Sequence, residues 1–149
     1  MTGRLRPASA PGHLVREGPR GEAFCRPVET DEFASSENVA ILESWNTDRD
    51  PALSIARARL APGEATEQHR LDRTTERYLI VDGSGSVRVG ALDPVAVRPG
   101  DIVFVPPGVP QQVTNTGDRD LVFYCLCTPA FDGSDYVRLS SDEPEDRDA

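Results

Sequence analysis

Two stretches decide the fold: GEATEQHRLDRTTERYLIVDG at residues 63–83 and GDIVFVPPGVPQQVTN at 100–115. Both are built of short apolar runs bounded by Gly and Pro, which is how strands and tight turns read. His69 and Leu71 lie two apart, so on a strand they share a face. The turn at Asp72–Thr75 reverses the chain and carries Glu76 to a neighbouring strand, with Tyr78 on the same face. Gln111 follows the Pro106-Pro107-Gly108 bend and is expected to face them.

The same pattern extends outward. Val39–Trp45 is apolar enough for a first strand beginning near Asn38. Residues 54–60, SIARARL, alternate strictly, with Ala56, Ala58 and Leu60 on the packed face and Arg57 and Arg59 toward solvent. Short strands are expected at Thr66–Leu71, Arg77–Val81, Ser86–Val89, Val95–Val97, Ile102–Val105, Gln111–Asn115 and Leu121–Cys127. Ile102–Val105 is apolar throughout, which predicts burial on both faces. No segment sustains a helical period. Many short, evenly spaced strands indicate an all-β sandwich or jelly roll.

The two quoted stretches resemble the paired motifs of the cupin superfamily, G-x5-HxH-x3,4-E-x6-G and G-x5-PxG-x2-H-x3-N, as found in single-domain bacterial cupins. The spacings agree, with Gly63, His69, Glu76, Gly83, Gly100, Pro106, Gly108 and Asn115 in register. The resemblance covers residues 54–129 and implies a double-stranded β-helix, a jelly-roll barrel with a small-molecule pocket. In that family two histidines, a glutamate and a third histidine bind one divalent metal. Here His69 and Glu76 match. Leu71 replaces the second histidine and cannot ligate; Gln111 replaces the third and offers only a neutral carbonyl oxygen.

The resemblance therefore implies His69, Glu76 and Gln111 as ligands for Fe, Mn, Ni or Zn, or else a metal-free polar pocket. His69, Glu76 and Tyr78 are the candidate catalytic residues, because a carboxylate beside an imidazole supports acid–base work. A shifted alignment puts Glu67 in the first ligand position, with His69, Glu76 and Gln111. Three functions stay open: an isomerase, lyase or dioxygenase; a non-catalytic ligand-binding cupin; or a barrel whose role is association with other proteins. The family also implies a homodimer, and unpaired strand edges need cover.

Length and composition bound the rest. The 149 residues suit one domain. Residues 1–36 read as a partly disordered arm, 37–139 as the barrel and 140–149 as a disordered acidic tail. The net charge of -9 argues against nucleic acid. No apolar run reaches membrane-span length, and the N-terminus lacks a signal-peptide core, so a cytoplasmic location is expected. Cys25, Cys125 and Cys127 do not suggest a disulfide framework; Cys125 and Cys127 read as small buried residues, with a redox or metal role as the alternative.

Overall fold

A computed structural model of the chain describes residues 13–139. The expected acidic tail lies outside the described residues. Strands β1 (His13–Glu17) and β2 (Ala23–Arg26) form a hairpin, and a 3-10 turn at Glu29–Asp31 leads to β3 (Phe33–Ala34). The barrel then runs through β4 (Ala40–Trp45), β5 (Ser54–Leu60), β6 (His69–Leu71), β7 (Thr75–Asp82), β8 (Gly85–Val89), β9 (Val95–Val97), β10 (Ile102–Val105), β11 (Gln111–Asn115), β12 (Leu121–Thr128) and β13 (Tyr136–Arg138). Among the described residues no helix is long and apolar enough to cross a membrane.

Two sheets face each other. One has the order β10-β7-β12-β5-β4-β3, the other β13-β6-β11-β8-β9. Alternation along β5 and β12 fills the space between them. Ala56, Ala58, Leu60, Leu121, Phe123 and Cys125 from the first sheet pack with Val87, Val97 and Val113 from the second. At one end Leu71, Cys127, Phe131 and Tyr136 make a second apolar cluster. Cys125 and Cys127 are buried and in no disulfide, as small core residues would be.

Turn chemistry fixes these strands. Gly83 has φ +82°, and a Cβ there would lie 2.5 Å from the Asp120 carbonyl oxygen, so only glycine fits. Asn115 ties the loops beneath the barrel: its Nδ2 donates to the carbonyls of Leu60 (2.8 Å) and Arg119 (2.9 Å), and its Oδ1 accepts from Gly117 N (2.8 Å).

Three expectations change. Ile102–Val105 is not buried on both faces, because β10 is an edge strand; Val105 points inward while Ile102 and Phe104 stay exposed. Glu76 is not on a strand paired with that of His69: β6 and β7 belong to opposite sheets, so the turn after Leu71 crosses the barrel. Gln111 does not face His69 but stands beside it, as its register partner on β11. The described part of the arm carries a hairpin and a short strand, and Arg57 and Arg59 point outward to ion pairs with Glu29, Glu32 and Asp120.

Candidate functional site

His69 is the centre of the site. Its Nδ1 lies 2.8 Å from the carbonyl oxygen of Glu67. A carbonyl only accepts, so Nδ1 carries the hydrogen and Nε2 holds the lone pair of the neutral ring. Tyr136 on β13 stacks on the imidazole, with centroids 4.7 Å apart and planes at 16°. The Tyr136 hydroxyl donates to Glu67 Oε2 at 2.6 Å, and Arg138 pairs with the same carboxylate. Backbone, ring and carboxylate thus fix the imidazole in one orientation.

The free nitrogen looks at a carboxylate that the motifs do not contain. Glu37 Oε1 is 3.9 Å from His69 Nε2. Glu37 sits in the turn before β4, where Asn38 takes φ 70°, a conformation asparagine tolerates better than most residues. The turn is pinned from both sides: Ser35 Oγ donates to the Val39 carbonyl (2.6 Å), and Asn38 Nδ2 to the Ala65 carbonyl (2.9 Å). Glu67 N also donates to the Glu37 carbonyl at 2.9 Å.

Across the barrel stand Glu76 and Tyr78 on β7. Cys127 Sγ is 3.5 Å from Glu76 Oε2. Burial pushes the Tyr78 phenol well above its ordinary value, and the Glu76 carboxylate adds to the shift. Tyr136 is raised for the same first reason, then by Glu37 and by its bond to Glu67. Glu37, Thr66, His69, Glu76, Tyr78 and Cys125 enclose a cavity of about 10 Å³ with an apolar wall of Val39, Ile41, Ala58 and Phe123. That volume holds about one water.

The donor set implied for a metal does not fit as placed. Leu71 packs with Cys127, Phe131 and Tyr136. Among the described residues no group of three or more His, Cys, Asp or Glu is arranged to hold an ion. Gln111 is 1% exposed, and neither its Oε1 nor its Nε2 has a hydrogen-bond partner. Glu67, the ligand of the shifted alignment, gives its carboxylate to Tyr136 and Arg138.

So the structure brings His69, Glu76 and Tyr78 around one cavity and leaves Gln111 outside its lining, beside His69. Sequence reading missed Glu37 and Tyr136. Both reach the site from segments outside the motifs, and nothing local in the sequence marks them.

Comparison with known proteins agrees with the barrel and its motifs. The cupin domain family matches residues 56–127. The oxalate-binding protein of Thermotoga maritima is 32% identical over 88 residues, 59% of this chain and 72% of that protein. The glucose-6-phosphate isomerase of Thermococcus litoralis is 30% identical over 142 residues, 87% of this chain and 70% of that enzyme. The chain belongs to the cupin superfamily. Among solved structures, Pac13 of Streptomyces, a nucleoside dehydratase, superposes with a TM-score of 0.64 over 78% of this chain and 91% of its own. At 15% identity that likeness shows the fold alone.

Proposed function

We propose that this chain is a small-molecule-binding cupin whose pocket is worked by His69, set between Glu37 and Glu76, without a bound metal. The fixed His69 ring carries the reading. Its Nδ1 is committed to a backbone carbonyl, and its Nε2 is directed toward the cavity and Glu37. A group so oriented can accept a hydrogen bond or a proton from a ligand, and a nearby carboxylate stabilises the imidazolium that results. Glu76 supplies a second carboxylate for proton transfer from the facing sheet. The same pair serves an isomerisation or elimination, or ligand capture with no reaction.

The cavity of about 10 Å³ leaves no room for a metabolite beside Glu37. A ligand must displace the Glu37 carboxylate from His69, so its head is a hydroxyl that donates to Nε2, or a carboxylate that accepts from Nε2 once the ring is protonated. The named relatives suggest two probes: oxalate and glucose 6-phosphate. Each is titrated into the metal-stripped full-length protein, with ligand-observed NMR and calorimetry as readouts. At least one should bind, and His69→Ala should abolish that binding. Near-stoichiometric iron, manganese, nickel or zinc in the purified protein, lost in His69→Ala, would overturn the metal-free reading.

A further inference from the structure

The inward face of β11 carries two buried amides with opposite surroundings. Asn115 takes part in three hydrogen bonds at the base of the barrel. Gln111, on the same face at the other end of the strand, is 1% exposed, and among the described residues neither its Oε1 nor its Nε2 has a hydrogen-bond partner. Gln112, which points the other way, donates to the Thr66 carbonyl at 3.0 Å. The register explains the difference. On one side of Gln111 stands Val89, which has no polar side-chain atom. On the other stands His69. Its Nδ1 is committed to the Glu67 carbonyl, and its Nε2 is directed toward the cavity and Glu37. A buried amide in this state destabilises the folded chain, so its place beside the site calls for a role in binding.

Residues in register across an antiparallel pair point to one face, with Cβ atoms about 4.5–5.5 Å apart. A ligand held at His69 Nε2 is therefore within reach of the Gln111 amide. The two side chains offer an acceptor at His69 Nε2, an acceptor at Gln111 Oε1 and a donor at Gln111 Nε2. Their complement is a hydroxyl that donates to the imidazole, next to a group presenting one N–H and one C=O on the same edge. A carboxamide is such a group, and it pairs with another amide through two antiparallel hydrogen bonds. A carboxylate is not. It only accepts, so it would use Nε2 of Gln111 and set its other oxygen against Oε1. It would also bring a further anion to a cavity lined by Glu37 and Glu76 and, among the described residues, by no arginine.

We infer that Gln111 determines the specificity of the site and that the ligand is an α-hydroxy carboxamide. Its hydroxyl meets His69 Nε2, and its carboxamide meets both polar atoms of Gln111. This rests on the reading of His69 as the ligand-binding group, and it selects the hydroxyl over the carboxylate as the head that reaches the ring.

Glycolamide and glycolate test it, because they share the hydroxyl and differ only in the group offered to Gln111. Each is titrated calorimetrically into the metal-stripped full-length protein, and NMR follows the isotope-labelled side-chain amides of Gln68, Gln111 and Gln112. Glycolamide should bind at least about tenfold more tightly than glycolate. It should shift the amide signals of Gln111, identified as those missing from Gln111→Met. Gln111→Met should bring glycolamide down to the affinity of glycolate, while His69→Ala weakens both. The reading of His69 is decided separately, by whether oxalate or glucose 6-phosphate binds and is lost in His69→Ala. Equal affinities for glycolamide and glycolate overturn the inference about Gln111, as does a Gln111→Met protein that still prefers glycolamide. Absence of glycolamide binding up to roughly 50 mM overturns it too.

Discussion

Leu71 stands two residues from His69 on β6, with its side chain inward, and it is where family chemistry and this chain part. A histidine there would share the inward face of His69, the register partner of Gln111. Leu71→His should therefore raise affinity for nickel or zinc at least about tenfold by calorimetric titration. It should also lower the unfolding free energy by about 1–3 kcal/mol, because Leu71 packs in an apolar cluster. Unchanged metal affinity would mean that position 71 is not the ligand position of the motif. Gln111 gives a second test. Both of its amide atoms are buried without a partner, a state that costs about 1–3 kcal/mol per group. Gln111→Met keeps the volume and removes that cost, so it should raise the urea midpoint of the ligand-free protein. A lower midpoint would show that the amide is satisfied in solution. His69, Glu76 and Tyr78 were legible because motif spacing and the two-residue strand period point them inward. Glu37 and Tyr136 were not, since a turn residue and a strand near the C-terminus acquire meaning only when the fold closes around His69.

At the scale of elements, β5, β9, β10 and β11 run between the residues that alternation and turn signals predict. Those signals work because each of these strands is bounded by Gly, Pro or Asp. The hairpin of β1 and β2 escaped because HLVRE and AFCR are short, carry charge, and lie outside the packed core. The exposed side chains of β10 escaped for a different reason: an apolar run tells that both faces avoid water, and not whether the same chain supplies the cover. The N-terminal segment stays on the sheet through Glu29 and Glu32. The Arg59 guanidinium, then Arg57, holds the Glu32 carboxyl below its ordinary value of 4.5, against the opposing pull of burial. A carboxyl lowered on folding adds stability that is present above pH 4.5 and is lost as pH falls below it. Glu32→Gln should thus destabilise the protein at neutral pH and flatten the loss of stability between neutral and acidic pH, read as thermal midpoints. An acid profile identical to that of the unmodified chain would show that the pairs contribute nothing. At the base of the barrel Asn115→Ala removes three hydrogen bonds and should cost about 2–3 kcal/mol in urea unfolding.

For the whole molecule, the two sheets close over an interior that mixes apolar packing with carboxylates, and this sets its response to base. Tyr78 and Tyr136 border that interior from opposite sheets. Burial, with the Glu76 charge facing Tyr78 and the Glu37 charge facing Tyr136, holds both phenols above the ordinary value of 10. The folded barrel therefore keeps protons that the unfolded chain releases. Its stability is full below pH 10 and declines as pH rises past that value, because only the open chain gains from ionising these rings. Phenolate absorbance from Tyr78 and Tyr136 should grow in step with the loss of near-ultraviolet circular dichroism, as one cooperative transition. Tyr78→Phe removes one of the two protons released and should make that transition less steep in pH. The substitution keeps the ring, which continues to pack against Phe123. Complete phenolate formation near about pH 11 with an intact dichroism spectrum would mean that both rings reach water while the barrel is folded, and the closed site described around His69 would then be wrong.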